Sequence, residues 1–152
     1  MKIIQRTFSL LIALLIFCSC EDFRDHNGDF GGMWQLVEWK VQNDGQETAT
    51  IKATNADGIY YSIHRNLIQF THCLPGEPLH EGYSNRLLGY IEISGNLLTI
   101  KNVVYNYDDQ FADSQKRNEY GIPDDGIYTI LSISNEKLVL RHGNNTLTFR
   151  KY

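Results

Sequence analysis

From residue 33 to the end, apolar and polar residues alternate with a period of two through most of the chain, and short turn signals interrupt the alternation. Successive side chains of a strand point to opposite faces, so this pattern predicts half-buried β-structure rather than helix. Residues 33–42 open the series. Trp34, Leu36 and Glu38 fall on one face, Val37, Trp39 and Val41 on the other. Apolar residues on both faces predict a strand whose exposure changes along its length. Asn43-Asp44-Gly45 is a hairpin turn signal. Residues 47–56 are polar with Thr and Ala, and suit a strand, a short helix or a loop equally. Residues 59–64 are aromatic and β-branched, which favours a strand. Arg65-Asn66 turns them back into 67–73, and Leu74-Pro75-Gly76-Glu77-Pro78 stops that strand because proline cannot donate to a ladder. Residues 75–81 then form a loop at one rim.

Residues 83–94 predict a longer strand with Leu87, Gly89, Ile91 and Ile93 on one face, and Gly89 marks a bulge or bend. Gly95-Asn96 turns it into 97–104, where Leu98 and Ile100 oppose Leu97, Thr99 and Lys101. Residues 105–125 break the pattern. They are polar and acidic, with Phe111, Tyr120 and Ile122 as candidate anchors and a short helix possible over 109–118. A stretch of this length without strand pattern points to a functional loop or lid. Three runs, 127–134, 137–142 and 145–152, then make a meander with two short hairpins. Strands at this spacing predict an antiparallel sandwich or an up-and-down barrel. The meander ends with the chain, which favours closure of the last strand on the first.

The start of the chain is of another kind. Lys2 and Arg6 precede an almost wholly apolar run over 8–17, too short to span a bilayer and suited to a secretory signal. It ends Phe17-Cys18-Ser19-Cys20-Glu21-Asp22. A small residue before Cys resembles the lipobox of bacterial lipoproteins, with Phe17 where Leu is usual. The resemblance implies that residues 1–19 are a lipoprotein signal peptide and that Cys20 becomes the acylated first residue. More than one acyl chain gives firm anchoring. Residues 20–31 are acidic with no apolar period, which predicts a flexible tether.

Removal of Lys2 and Arg6 from fourteen cations leaves twelve against eighteen acids, a net charge of −6. That balance argues against nucleic acid, whose phosphates need clustered Lys and Arg. With Cys20 acylated, Cys73 is a single thiol and the domain stands without an intrachain disulfide.

Gly32-Met33-Trp34 resembles the Gly-x-Trp start of lipocalin and lipocalin-like barrels. The match extends through Ile130-Leu131-Ser132 and Leu138-Val139-Leu140 to Leu147-Thr148-Phe149-Arg150-Lys151. It implies an all-β, antiparallel up-and-down barrel of about eight strands over residues 32–152, like small lipoproteins of Gram-negative bacteria anchored in the outer membrane. It also implies that Trp34 plugs the closed end, entered through Gly32, with Arg150 lying across the indole. A guanidinium over an indole gains about 0.5–2 kcal/mol.

No catalytic set emerges. His72 and Cys73 are adjacent, so a strand turns them to opposite faces and they cannot readily share a metal ion; His80 with Glu77 or Glu81 could do so only on a loop. Cys73 would need a base in reach, which His64 could supply only across the hairpin. Asp108-Asp109 and Asp124-Asp125 read as solvated turn residues rather than a glycosidase pair. Neither a cofactor nor a resident metal is predicted. What is left is aromatic: Tyr60, Phe70, Tyr83, Tyr90, Tyr105 and Tyr128 are candidates to line a pocket in the barrel mouth. The expectation is a monomeric, non-enzymatic, membrane-tethered barrel that binds a small, partly apolar molecule. The alternative is an accessory protein that docks a protein or glycan through its rim.

Overall fold

A computed structural model describes residues 28–43, 46–51, 58–73 and 86–152. Nine strands form one antiparallel sheet: β1 Gly32–Asn43, β2 Gln46–Ile51, β3 Ile59–His64, β4 Leu67–His72, β5 Arg86–Ser94, β6 Leu97–Tyr105, β7 Ile127–Ile133, β8 Lys137–His142 and β9 Asn145–Lys151. Their order is β2-β1-β3-β4-β5-β6-β7-β8-β9, and β9 pairs back on β1. β2 and β3 share one edge of β1: β2 pairs with its second half, from Trp39↔Ile51 to Asn43↔Gln46, and β3 with its first, from Gly32↔Ile63 to Gln35↔Tyr60. They are two halves of one interrupted strand, so the closed ring has eight strands. Closure removes the exposed edges that an open sheet would present.

The polar run over 47–56 is therefore strand as far as Ile51. The expected turn at Asn43-Asp44-Gly45 and the loop over 75–81 lie wholly or partly outside the described residues, as do Tyr83, the acylation site Cys20 and the leader.

The apolar residues on both faces of β1 have a mechanical explanation. Pairing with β9 shifts between Leu36 and Glu38. One extra residue reverses which side chains point inward. Leu36 faces Phe149 and Trp39 faces Leu147, so both lie on the inner side although they are three residues apart. A second shift, between Leu88 and Tyr90, stands beside Gly89, and the extra residue is on β6, where Asn102 takes a left-handed φ of 52°.

The start of β1 and the hairpins β3–β4, β5–β6 and β7–β8 gather at one end. There Trp34 is fully buried, and its Nε1 donates to the carbonyl of Phe30 at 2.8 Å. Phe30 ends a 3-10 turn, Gly28–Phe30, and is itself buried, so folded structure begins inside the stretch predicted as tether. The cation over the indole is Lys151, not Arg150: its Nζ lies 5.0 Å from the ring centroid. Register decides this. Trp34 pairs with Lys151, whereas Arg150 pairs with Gln35 on the outer face. Gly32 serves the arrangement by being small, since a Cβ there would sit 2.9 Å from Lys151 Cε.

Outside the same seam, Arg150 Nε donates to Gln35 Oε1 at 2.9 Å, and Gln35 Nε2 donates to the Tyr60 hydroxyl at 3.1 Å. Three strands are thus tied by side chains on the outer wall, and burial of Gln35 strengthens both bonds.

Candidate functional site

The interior is occupied by the protein's own rings. Tyr61, Phe70, Tyr120, Tyr128 and Phe149 are fully buried in one cluster with Leu36, Leu98, Leu140 and Leu147. Tyr61 sits edge-on to Phe70 and tilted against Phe149, both at 4.7 Å between centroids. Close-packed rings of this kind leave little room for a guest.

Of the predicted lining residues, Phe70 and Tyr128 point inward and belong to this cluster, and Tyr105 packs against it half-buried. Tyr90 stands on the outer face, 47% exposed, because the alternation along β5 turns it away from Ile91. Tyr60 is buried outside the core, under Gln35 and edge-on to Tyr152. The five described members of that set are therefore not gathered around one cavity. Cys73 is buried, and His64 lies at the far end of the β3–β4 hairpin, five residue pairs from the Ile59↔His72 pair. At about 3.4 Å per residue that distance rules out a thiol–imidazole pair. Among the described residues no three of His, Cys, Asp and Glu approach closely enough to hold a metal ion.

The 105–125 segment closes the other end. After β6 the chain doubles back, with Ala112 N bonded to the Val103 carbonyl and Val104 bridged to Phe111. Asp113 then caps the single-turn helix α1, Ser114–Glu119, by accepting from Lys116 N at 2.7 Å. Beyond α1 the chain dips into the barrel. Tyr120 and Ile122 are fully buried, as expected of anchors, but Phe111 is 73% exposed. The Tyr61 hydroxyl donates to the Tyr120 carbonyl at 2.7 Å, and the Tyr128 hydroxyl donates to the Gly121 carbonyl. Two core tyrosines thereby satisfy backbone carbonyls that would otherwise be buried unpaired. Burial raises the pKa of both tyrosines well above the usual phenol value. On the outer side, Arg117 donates to the carbonyls of Pro123 and Asp124.

Between this plug and the β8–β9 hairpin lies a hollow of about 440 Å³. Trp39 forms part of its wall, half-buried, and Trp39 Nε1 donates to Asn145 Oδ1 at 2.9 Å. Gly121 lies against another edge of the indole, where an added Cβ would be 3.7 Å from Trp39 Cζ3 and 2.7 Å from Leu147 Cδ2. Pro123, with Asn118, Asp124, Asp125 and His142, completes the wall. His142 Nδ1 lies 2.9 Å from the Ile127 carbonyl, which can only accept, so this nitrogen carries a proton. In the neutral ring, Nε2 is then an acceptor. Asp125 Oδ1 accepts from Ile127 N at 2.9 Å and so is fixed by its own turn.

A family model for the lipocalin-like domain matches residues 15–152. The chain belongs to the lipocalin-like domain family. Among solved structures, a lipocalin-like protein from Bacteroides uniformis superposes with a TM-score of 0.58 at 18% identity, over 82% of this chain and 100% of that one. An uncharacterized protein from Bacteroides eggerthii gives a TM-score of 0.54, also at 18% identity, over 81% of this chain and 99% of its own. No curated protein matches the chain. At such identity the likeness is one of fold. Among the described residues the interior of the lipocalin-like barrel is thus filled by side chains, and the hollow, part polar and part apolar, lies on the mouth.

In the sequence Asp124 and Asp125 are legible only as turn residues, and nothing local groups Trp39, Asn118, His142 and Asn145. They come from β1, α1, β8 and the start of β9, and only barrel closure brings them together. The local signal available was two polar turn clusters, Asp124-Asp125-Gly126 and His142-Gly143-Asn144-Asn145, flanking strands of the same meander.

Proposed function

We propose that this lipocalin-like protein is a non-enzymatic binding module of a bacterial cell envelope, held to a membrane by acyl chains on Cys20. Its ligand is a small molecule that seats in the mouth hollow between Trp39 and the 118–125 segment. The observation that carries the reading is the contrast between a filled interior and a hollow of about 440 Å³ on the rim, a size within the range of small-molecule sites. The wall is preorganised: the indole is held by Asn145 and Gly121, and Asp125 by Ile127 N. Preorganisation reduces the entropy lost on binding. Support for the anchor comes from the Ser19-Cys20 lipobox resemblance and the basic, then apolar, leader.

The site is tested by fragment screening with two-dimensional NMR on the full chain carrying Cys20→Ala. Hits that move the Trp39 indole signal and the 118–125 amides support the reading. Hits confined to the core tyrosines, or to no common surface, would overturn it. The anchor is tested separately with full-length Cys20→Ala, which is expected to leave the membrane fraction; its retention there would refute acylation. A second reading, docking of a protein partner by the rim, draws on Tyr107 and Phe111, which are 59% and 73% exposed on the same loop. A pull-down that depends on those two rings and not on Trp39 would favour it.

A further inference from the structure

We infer that the ligand of the mouth hollow is a saccharide, taken as a single sugar ring lying against Trp39 with its hydroxyls met by Asn118, Asp124 and His142. This rests on the hollow being the binding site. Three observations about its wall select the chemistry. Among the described residues its largest apolar surface is one indole, joined by the smaller ring of Pro123; the indole's Nε1 edge is already spent on Asn145 and its Cζ3 edge lies against Gly121. What such a ring can offer a ligand is its electron-rich face. A pyranose presents a flat patch of C–H groups of matching polarity. An extended acyl chain would instead need apolar surface along its length, and beyond the indole, Pro123 and Gly121 the wall is amide, carboxylate and imidazole.

The polar groups suit hydroxyls because they include both kinds of partner. The Asn118 amide donates and accepts, the Asp124 carboxylate accepts, and in the neutral ring His142 Nε2 accepts while Nδ1–H donates to the Ile127 carbonyl. Asp124 is exposed, and its backbone carbonyl rather than its carboxylate engages Arg117. The Asn145 amide nitrogen adds a donor, since its oxygen holds the indole. Among the described residues no lysine or arginine lines the hollow, which disfavours an anionic ligand. An organic cation is the competing class, because it too would rest on an indole beside carboxylates.

The experiment separates the two. The protein has only two tryptophans, so its 15N spectrum carries two indole N–H signals, and Trp39→Phe identifies the one from Trp39. Methyl glycosides of glucose, galactose and mannose, N-acetylglucosamine, and tetramethylammonium serve as probes on the full chain carrying Cys20→Ala. Expected is a saturable shift of the Trp39 signal with at least one sugar, insensitive to salt and changed less than about threefold by Asp124→Asn. Asn118→Ala, at an exposed helix end, should weaken it about tenfold, a factor that corresponds to about 1.4 kcal/mol. A response to tetramethylammonium alone, abolished by Asp124→Asn, would overturn the sugar while leaving the hollow as a binding site. Silence from every probe, when fragments do bind at Trp39, would overturn the sugar as well. Silence from fragments too would remove the site itself.

Discussion

The seam between the first and last strands makes the sharpest quantitative demand on the structure. Trp34→Leu and Lys151→Met together form a double-mutant cycle for the contact at the closed end. Leu keeps apolar volume but removes the indole and its 2.8 Å bond to the Phe30 carbonyl, so the single change should cost about 2–4 kcal/mol. Met keeps the stem that crosses above Gly32 and removes only the charge. The Lys151 ammonium lies 5.0 Å from the ring centroid at a half-exposed rim, which sets the coupling at about 0.5–1 kcal/mol. Arg150 belongs to the other face, so Arg150→Met with Trp34→Leu should add to within about 0.3–0.5 kcal/mol. Its coupling is instead to Gln35, as a charge-assisted bond of 2.9 Å to a buried amide, and Arg150→Met with Gln35→Leu should couple by more than about 1 kcal/mol. Urea unfolding followed by circular dichroism supplies each free energy. If Arg150 couples to Trp34 and Lys151 does not, the β1–β9 register is wrong by one residue, and every inward assignment on β9 reverses with it.

Three further outcomes follow from the mouth. Gly126→Ala should be far more damaging than Gly143→Ala: both are left-handed, costing about 1–2 kcal/mol each for a side chain, but a Cβ at Gly126 would lie 2.1 Å from the Ile100 carbonyl oxygen whereas nothing lies within 4 Å at Gly143. Equal midpoints in urea for the two variants would contradict that. Gly121→Ala should cost an intermediate amount, since Gly121 is also left-handed but its Cβ would press on the tip of the Leu147 side chain rather than on backbone, and it should shift the Trp39 indole signal from 3.7 Å away; an unmoved signal would mean that the segment does not touch the indole. Tyr61 and Tyr128 have folded pKa values raised above 10 by burial, so folding binds their protons. Their contribution is complete below pH 10 and is lost as pH rises beyond it, at up to about 1.36 kcal/mol per pH unit for each group. Unfolding free energies at pH 9 and pH 11 should therefore diverge, and a Tyr61→Phe/Tyr128→Phe pair should flatten the alkaline limb; an unchanged limb would show that other groups control it.

The strands were legible in the sequence because the period-two alternation is a direct image of a wall with one wet and one dry side. That is why β3, β4, β8 and the shared turns fall where the alternation and the Arg65-Asn66, Gly95-Asn96 and Gly143-Asn144 pairs place them. The same local rule fails where one residue is added. At Val37 the bulge turns Trp39 inward with Leu36, and no periodicity read along β1 alone can show on which side of the bulge the count resumes. The misassigned cation has the same origin: Arg150 and Lys151 are equally basic neighbours, and only pairing across the seam says which shares a face with Trp34. In the 105–125 segment Tyr120 and Ile122 could be recognised as anchors by their size. Phe111 is just as apolar, yet it projects outward because Val104 and Phe111 form a bridge whose neighbour, Ala112, occupies the buried position. The hollow was least legible of all. Its indole comes from the first strand, its amides from a helix end and the last hairpin, and its acids from a turn that reads by itself as solvated. Residues of that kind are brought together only when the ring closes, and so a barrel whose core is full can still carry on its rim a hollow that no local segment announces.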